Sequence, residues 1–133
     1  MIGIVIVAHG GLAREYLSAV EHVVGQQPGM AAVSIAIDDN RDAKQHEICS
    51  VADDVDTGQG VVIVTDMFGG SPSNLSLRAC QPDNRRILYG ANLPMLIKLA
   101  KSRGKSVPDA VRVALEAGRK YIDSQNISLD QSA

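Results

Sequence analysis

The 133-residue chain contains no tryptophan, one phenylalanine and only two cysteines. Cys49 and Cys80 form neither a CxxC pair nor a Cys/His spacing typical of zinc sites, so the sequence predicts no disulfide framework and no metal site. Isolated thiols of this kind are typical of proteins kept in a reducing compartment. We therefore expect a cytoplasmic protein.

The chain also lacks a concentration of charge of either sign. Its 13 Lys and Arg residues are scattered among 15 Asp and Glu residues, and the formal net charge is −2. Without a basic stripe or a polybasic run, the sequence predicts no nucleic-acid partner and no binding to a membrane surface. The apolar run over residues 1–8 is too short to span a bilayer and lacks the positive flank of a signal peptide, so no membrane insertion is expected.

Apolar runs and helical spacing alternate along the chain. Hydrophobic residues make up 45% of the sequence, which is sufficient for one core without disulfides or metal. The helix predicted over residues 38–55 is expected to bury Ala43, and the helix predicted over residues 106–122 is expected to carry Tyr121 and Ile122 on its apolar face. The predicted strands cover residues 2–8, 30–37, 61–66 and 85–92, and the predicted helices cover residues 12–24, 38–55, 71–80, 93–103 and 106–122.

This alternation predicts an α/β fold. We expect an open, mostly parallel sheet of four or more strands with helices on both faces, which is a doubly wound α/β sandwich. Residues 1–124 are predicted to form a single domain, and residues 125–133 a polar, loosely ordered tail. In such sheets ligands bind beyond the carboxyl ends of the strands, where the strand order reverses, commonly between the first and third strands.

Two polar side chains stand at that edge of the predicted sheet. His9 follows the first strand in "IVIVAHGG", and Asp66 ends the third. Neighbouring strands lie about 4.8 Å apart, so the two side chains can form a hydrogen bond if these strands are adjacent. An aspartate that accepts from Nδ1–H fixes the imidazole tautomer and leaves the Nε2 lone pair free to attack phosphorus. The sequence thus predicts His9 as a phosphoryl acceptor and Asp66 as the residue that orients it.

The segment "TDMFGGSPSN", residues 65–74, predicts a place for the phosphoryl group. Gly69 and Gly70 allow the backbone to approach a ligand closely, and Ser71 followed by proline predicts a helix start whose free N–H groups favour an anion. Neither a Walker A loop nor a GxGxxG pattern is present. We therefore expect Gly69, Gly70 and Ser71 to bind phosphate, without a nucleotide or other cofactor.

Each of these features also has a purely structural interpretation. His9 could simply fill a strand end, the glycine pair could make a tight turn, and Ser71 could only cap its helix. Asp38 and Asp39, after the second strand, fit either a solvated loop or a carboxylate site. Asn92 fits either a helix cap or the rim of the crevice. The other two histidines are expected to be solvated surface residues.

The segments "IVIVAHG", "DMFGGSPSN" and "GANLPML" resemble the IIA component of the mannose-type bacterial phosphoenolpyruvate:sugar phosphotransferase system, over residues 1–122. The resemblance implies a stand-alone IIA phosphotransferase in which His9 accepts a phosphoryl group from phospho-HPr and passes it to a IIB component during sugar uptake. The family's orienting aspartate matches Asp66, and its phosphate-contacting serine matches Ser71. The resemblance also implies a cytoplasmic homodimer.

Other functions fit parts of the same pattern. A regulatory phosphoprotein, whose phosphorylation state at His9 is read by a partner without sugar transport, would share the site. An aspartyl-phosphate receiver domain needs an acidic pair after the first strand, where Ala8-His9-Gly10 stands. The IIA-like subunit of dihydroxyacetone kinases would share His9 but lacks the segment at residues 68–72. The sequence does not predict which sugar, if any, is transported.

Overall fold

The computed structural model describes residues 1–128. The end of the predicted tail, residues 129–133, lies outside the described residues. Residues 122–128 carry no helix or strand. No helix within residues 1–128 combines the length and the hydropathy needed to cross a bilayer.

The described chain alternates strands and helices in the order that the sequence predicts. Four strands and five α-helices are present, with a short 3₁₀ turn (Leu77–Cys80) after the third helix. Their bounds are β1 (Gly3–His9), α1 (Leu12–Val24), β2 (Met30–Ile35), α2 (Arg41–Val55), β3 (Val61–Thr65), α3 (Ser71–Ser76), β4 (Arg85–Leu88), α4 (Leu93–Lys101) and α5 (Val107–Lys120).

The four strands form one parallel sheet in the order β2-β1-β3-β4. The central strands are apolar on both faces because each face is covered by helices. Ile4 and Ile6 of β1 belong to one core with side chains of α1, α4 and α5. Val5 and Val7 alternate with them and belong to a second core with side chains of α2 and α3. The predicted α/β fold with helices on both faces is therefore confirmed.

Both edge strands are shorter than the sequence predicts. The second strand ends at Ile35 rather than at residue 37, because the Asp39 carboxylate accepts a hydrogen bond from the Ala36 N–H at 2.7 Å and turns the chain. Ile37 is consequently fully exposed. The fourth strand ends at Leu88 rather than at residue 92, and the chain turns at Gly90, whose φ is +76°.

Several predicted helix bounds are also wrong in detail. The third helix ends at Ser76 rather than at residue 80, where the 3₁₀ turn replaces it, and the fourth ends at Lys101 rather than at residue 103. The second helix begins at Arg41 rather than at residue 38, because the Asn40 side chain caps it by accepting from the Ala43 N–H at 2.9 Å. Ala43, predicted to be buried, is exposed in this first turn. The last helix ends at Lys120, so Tyr121 and Ile122 lie beyond its apolar face and are exposed.

The turn between α2 and β3 offers a test of packing around the sheet. Gly58 and Gly60 have nearly equal φ values of +100° and +103°, but only Gly60 faces other atoms, namely the Asn84 carbonyl and the Val107 side chain. We expect Gly60→Ala to destabilise the fold by about 3 kcal/mol, because the methyl group adds a steric clash to backbone strain. Chemical denaturation of the purified protein measures this change.

Gly58→Ala is the matched control, since a methyl group there meets nothing within 4 Å. It should cost about 1 kcal/mol, the backbone term alone. Equal losses of stability in the two variants would show that contact with Asn84 and Val107 does not add to the cost at Gly60.

Candidate active site

The strand order reverses between β1 and β3, at the centre of the sheet. The two strands are hydrogen-bonded neighbours with Val7 opposite Thr65, and β1 continues to His9 at the same edge at which β3 ends. On its other side His9 is paired with Ile35, the last residue of β2. The topology therefore brings the ends of three strands together beside His9 and Asp66.

His9 and Asp66 meet although 57 residues separate them in the sequence. Nδ1 of the imidazole lies 2.8 Å from Oδ2 of Asp66, and the same oxygen accepts the His9 backbone N–H at 3.1 Å. A carboxylate oxygen that already accepts one N–H is suited to accept Nδ1–H as well, which leaves Nε2 as the unprotonated ring nitrogen. The juxtaposition predicted from the sequence is thus present.

The two side chains differ in their access to solvent. The His9 side chain is 49% exposed, whereas that of Asp66 is 12% exposed. Oδ1 of Asp66 is buried and has no hydrogen-bond partner among the described residues. A shielded carboxylate beneath an accessible ring can hold the imidazole in place while Nε2 stays open to a reaction partner.

Gly70, the second residue of the glycine pair, lies against the imidazole. Gly69 has a φ of +84°, which glycine adopts without strain. A methyl group on Gly70 would lie 3.3 Å from Cε1 of His9 and 3.7 Å from Nε2. Any side chain at this position would therefore crowd the reactive edge of the ring. Gly70 provides the space in which a group bound to Nε2 could sit.

Ser71 is the first residue of α3 and not its cap. The N-cap is Gly70, which has an extended backbone, so the interpretation of Ser71 as a capping residue is wrong. Its side chain is exposed, and none of the side-chain hydrogen bonds found within residues 1–128 involves its hydroxyl. The helix has only six residues, so its dipole is small and the hydroxyl and nearby backbone N–H groups are the relevant donors.

His9 and Ser71 open onto a common crevice of about 390 Å³. The crevice also contains Arg41, which the sequence reasoning did not select. The available signal was that Arg41 follows the carboxyl end of β2, at the same sheet edge as His9. Besides His9 and Ser71, the crevice is lined by Ile35, Ala36, Ile37, Asp39, Arg41 and Leu75.

Two residues with open interpretations have structural contacts. Asp39 closes the loop after β2 and lies 3.7 Å from the Lys44 ammonium. Asn92 caps α4 by accepting from the Met95 N–H at 3.0 Å, and it donates to the Gly118 carbonyl at 2.9 Å. Asn92 does not line the crevice, and its contacts join α4 to α5.

The remaining histidines and the cysteines do not line the crevice that contains His9. His22 and His46 are exposed on α1 and α2. Cys49 and Cys80 are free thiols, and burial raises the pKa of Cys80 to about 11, which keeps that thiol protonated. Within the described residues, no three His, Cys, Asp or Glu side chains lie close enough to hold a metal ion.

Comparisons with known proteins identify relatives over nearly the whole chain. The family model described as "PTS system fructose IIA component" (EIIA-man) matches residues 3–114. The chain is 29% identical over 124 residues to the PTS system mannose-specific EIIAB component of Escherichia coli (strain K12). That match covers 91% of this chain but 38% of the relative, so the chain spans well under half of the relative's length.

Solved structures show the same architecture. The PTS IIA protein associated with the fucose utilization operon of Streptococcus pneumoniae superposes with a TM-score of 0.75 at 26% identity, covering 98% of this chain and 94% of that one. The mannose/sorbose specific IIA subunit from Enterococcus faecalis gives a TM-score of 0.84 at 22% identity, with 96% of each chain covered, and shares the fold. Because the family model extends over most of the chain, the protein belongs to the EIIA-man family, the mannose-type IIA components of the phosphotransferase system.

Proposed function

We propose that this chain is a phosphohistidine carrier of sugar uptake. His9 accepts a phosphoryl group from phospho-HPr and passes it to a IIB component. The observation that carries the proposal is the 2.8 Å contact between Nδ1 of His9 and the shielded Asp66 carboxylate, beneath a ring that is half exposed. Family membership supports a phosphotransferase role in general, and the site supports histidine as the acceptor.

The transfer needs no cofactor and no net proton movement. The Nε2 lone pair of His9 forms a bond to phosphorus while the P–N bond of the donor histidine breaks, and that electron pair returns to the donor ring. The proton on Nδ1 of His9 stays in place, bound to Asp66. The carboxylate then stabilises the positive charge that develops on the phosphorylated ring.

Residues beside Nε2 provide space and hydrogen-bond donors for the phosphoryl oxygens. Gly70 leaves the space, and the exposed Ser71 hydroxyl can donate a hydrogen bond to one oxygen. The neighbouring backbone N–H groups at the start of α3 add further donors. These contacts stabilise the bound group without a covalent bond to any residue other than His9.

Protein partners can reach the site over an apolar rim. Met67 and Phe68, directly before the glycine pair, are 52% and 75% exposed. The Phe68 ring packs edge-on against Tyr89 with centroids 5.0 Å apart, which holds it beside the site. Exposed Met and Phe side chains are common in protein interfaces, so this rim fits docking of phospho-HPr and of IIB in turn. Such a carrier works in the cytoplasm.

We also propose that the chain forms a homodimer. β4 is an edge strand of the sheet within residues 1–128, so one row of its backbone N–H and C=O groups is available for pairing. Light scattering of the purified full chain should give twice the mass of one chain. A mass equal to a single chain at micromolar concentration would contradict the dimer.

Phosphorylation of the wild-type protein tests the carrier function directly. The chain is incubated with phosphoenolpyruvate, enzyme I and HPr, and omission of HPr is the control. We expect an acid-labile, base-stable phosphate that peptide mapping assigns to His9, with His22 and His46 unmodified in the same sample. Absence of HPr-dependent label, or label on another histidine, would refute the proposal.

A further inference from the structure

We infer that Arg41 binds the phosphoryl group on His9 and holds the protein in its phosphorylated state. This inference rests on the function proposed above. It concerns a residue outside the "DMFGGSPSN" segment that lines the same crevice as His9 and Ser71.

A phosphoryl group on Nε2 of His9 carries about two negative charges on its oxygens, and the positive charge that develops on the ring offsets about one of them. The site already contains the Asp66 carboxylate, bound to the other ring nitrogen. The Ser71 hydroxyl and backbone N–H groups can donate hydrogen bonds to phosphoryl oxygens, but they carry no net charge. A cation within reach of the crevice would therefore stabilise the phosphorylated state more than the free state.

Arg41 is the only lysine or arginine among the described residues that line the crevice. Its guanidinium forms no ion pair within residues 1–128. The one carboxylate among the described residues that line the crevice, that of Asp39, is engaged by the Ala36 N–H and by Lys44. Lys44 in turn contacts Glu47 at 2.9 Å. These contacts leave the charge of Arg41 uncommitted before phosphorylation.

The backbone around Arg41 is fixed by two side-chain hydrogen bonds. Asp39 closes the loop that follows β2, and Asn40 caps α2, so Arg41 becomes the first residue of the helix. Because Ile35 at the end of β2 is paired with His9, this loop starts directly beside the imidazole. Arg41 therefore lines the same crevice as His9, and the planar fork of its guanidinium suits bidentate contact with the oxygens of a phosphoryl group on Nε2.

The equilibrium between HPr and this protein distinguishes a phosphoryl contact from a docking contact. A residue that binds the phosphoryl group on His9 shifts the equilibrium toward the phosphorylated carrier. A residue that only helps HPr to dock changes the forward and reverse rates equally and leaves the equilibrium unchanged. We expect Arg41→Gln to lower the equilibrium constant for transfer from phospho-HPr by about fivefold, and Arg41→Lys to recover part of that loss.

The experiment measures the phosphorylated fractions of HPr and of the full chain at equilibrium, together with the thermal unfolding midpoint. Arg119→Gln is the matched control, because Arg119 is also exposed and on a helix but does not line the crevice. It should leave the equilibrium unchanged. An unchanged equilibrium in Arg41→Gln, with or without slower rates, or an equal shift in Arg119→Gln, overturns the role of Arg41. Absence of label on the wild type instead refutes the carrier function itself, and the inference with it.

Discussion

Replacement of His9 by asparagine is expected to abolish phosphoryl acceptance while leaving the chain folded. The asparagine amide can place an N–H group near the position of Nδ1 and keep donating to Asp66, but it has no nucleophilic nitrogen at the position of Nε2. Since the His9 side chain is half exposed and makes no other side-chain hydrogen bond in residues 1–128, stability should change by only about 0.5 kcal/mol. Labelling with phosphoenolpyruvate, enzyme I and HPr measures the loss.

Two control variants test whether the loss of label is specific to His9 or follows the removal of any histidine. His22→Asn and His46→Asn remove exposed imidazoles from α1 and α2 and should be labelled as fully as the wild type. His9→Ala provides a second test in which the hydrogen bond to Asp66 is also lost. Base-stable label on His9→Asn at the wild-type level would show that the acceptor is another residue.

The central strands could be predicted from sequence because many consecutive residues each favour a buried strand. β1 and β3 consist of consecutive apolar side chains that are buried on both faces, and no single contact decides where they lie. His9 and Asp66 follow from the same argument, since parallel neighbouring strands bring their carboxyl ends to one edge. The meeting of these two residues depended mainly on the strands, because His9 ends β1 and Asp66 is the first residue after β3.

Features that depend on a single hydrogen bond could not be predicted in this way. Ile37 continues an apolar run, but the Asp39 contact with the Ala36 backbone ends β2 before it. The Asn40 cap then decides that α2 begins at Arg41, which puts that side chain on the crevice wall. Competition among several short polar residues for one cap is decided by local geometry, and the sequence alone left these choices open.

The same limit applies at the glycine pair. The sequence predicted that Ser71 caps α3 and, compatibly with that, contacts phosphate, but the structure assigns the cap position to Gly70. A glycine N-cap offers no side-chain oxygen to the first N–H groups of the helix, so these donors remain available to a ligand. The residue that was expected to cap the helix is thus free for the contact proposed with the phosphoryl group.

Asp66→Asn is expected to slow phosphoryl transfer to His9 by about a hundredfold or more. The variant no longer fixes the tautomer of the imidazole, and it loses the negative charge that stabilises the phosphorylated ring. In one orientation of the amide, its oxygen still accepts both N–H groups of His9. The amide nitrogen then occupies the buried position of Oδ1, where it finds no hydrogen-bond partner within residues 1–128. In the other orientation the NH₂ group faces the His9 backbone N–H and favours the tautomer protonated on Nε2, which cannot attack. Rapid-quench measurement of label transfer from phospho-HPr gives the rate.

Asp39→Asn is the control for the loss of one negative charge in the same region. Asp39 lines the crevice, and an asparagine there can still accept from the Ala36 N–H, so the loop is retained and the transfer rate should stay within about twofold of the wild type. The buried carboxamide should lower the stability of Asp66→Asn by about 1 to 3 kcal/mol, which leaves a folded protein whose rate can be measured. If folded Asp66→Asn transfers phosphate at the wild-type rate, the hydrogen bond to Nδ1 holds the ring without contributing to its reactivity. The role of Asp66 would then be confined to the fold.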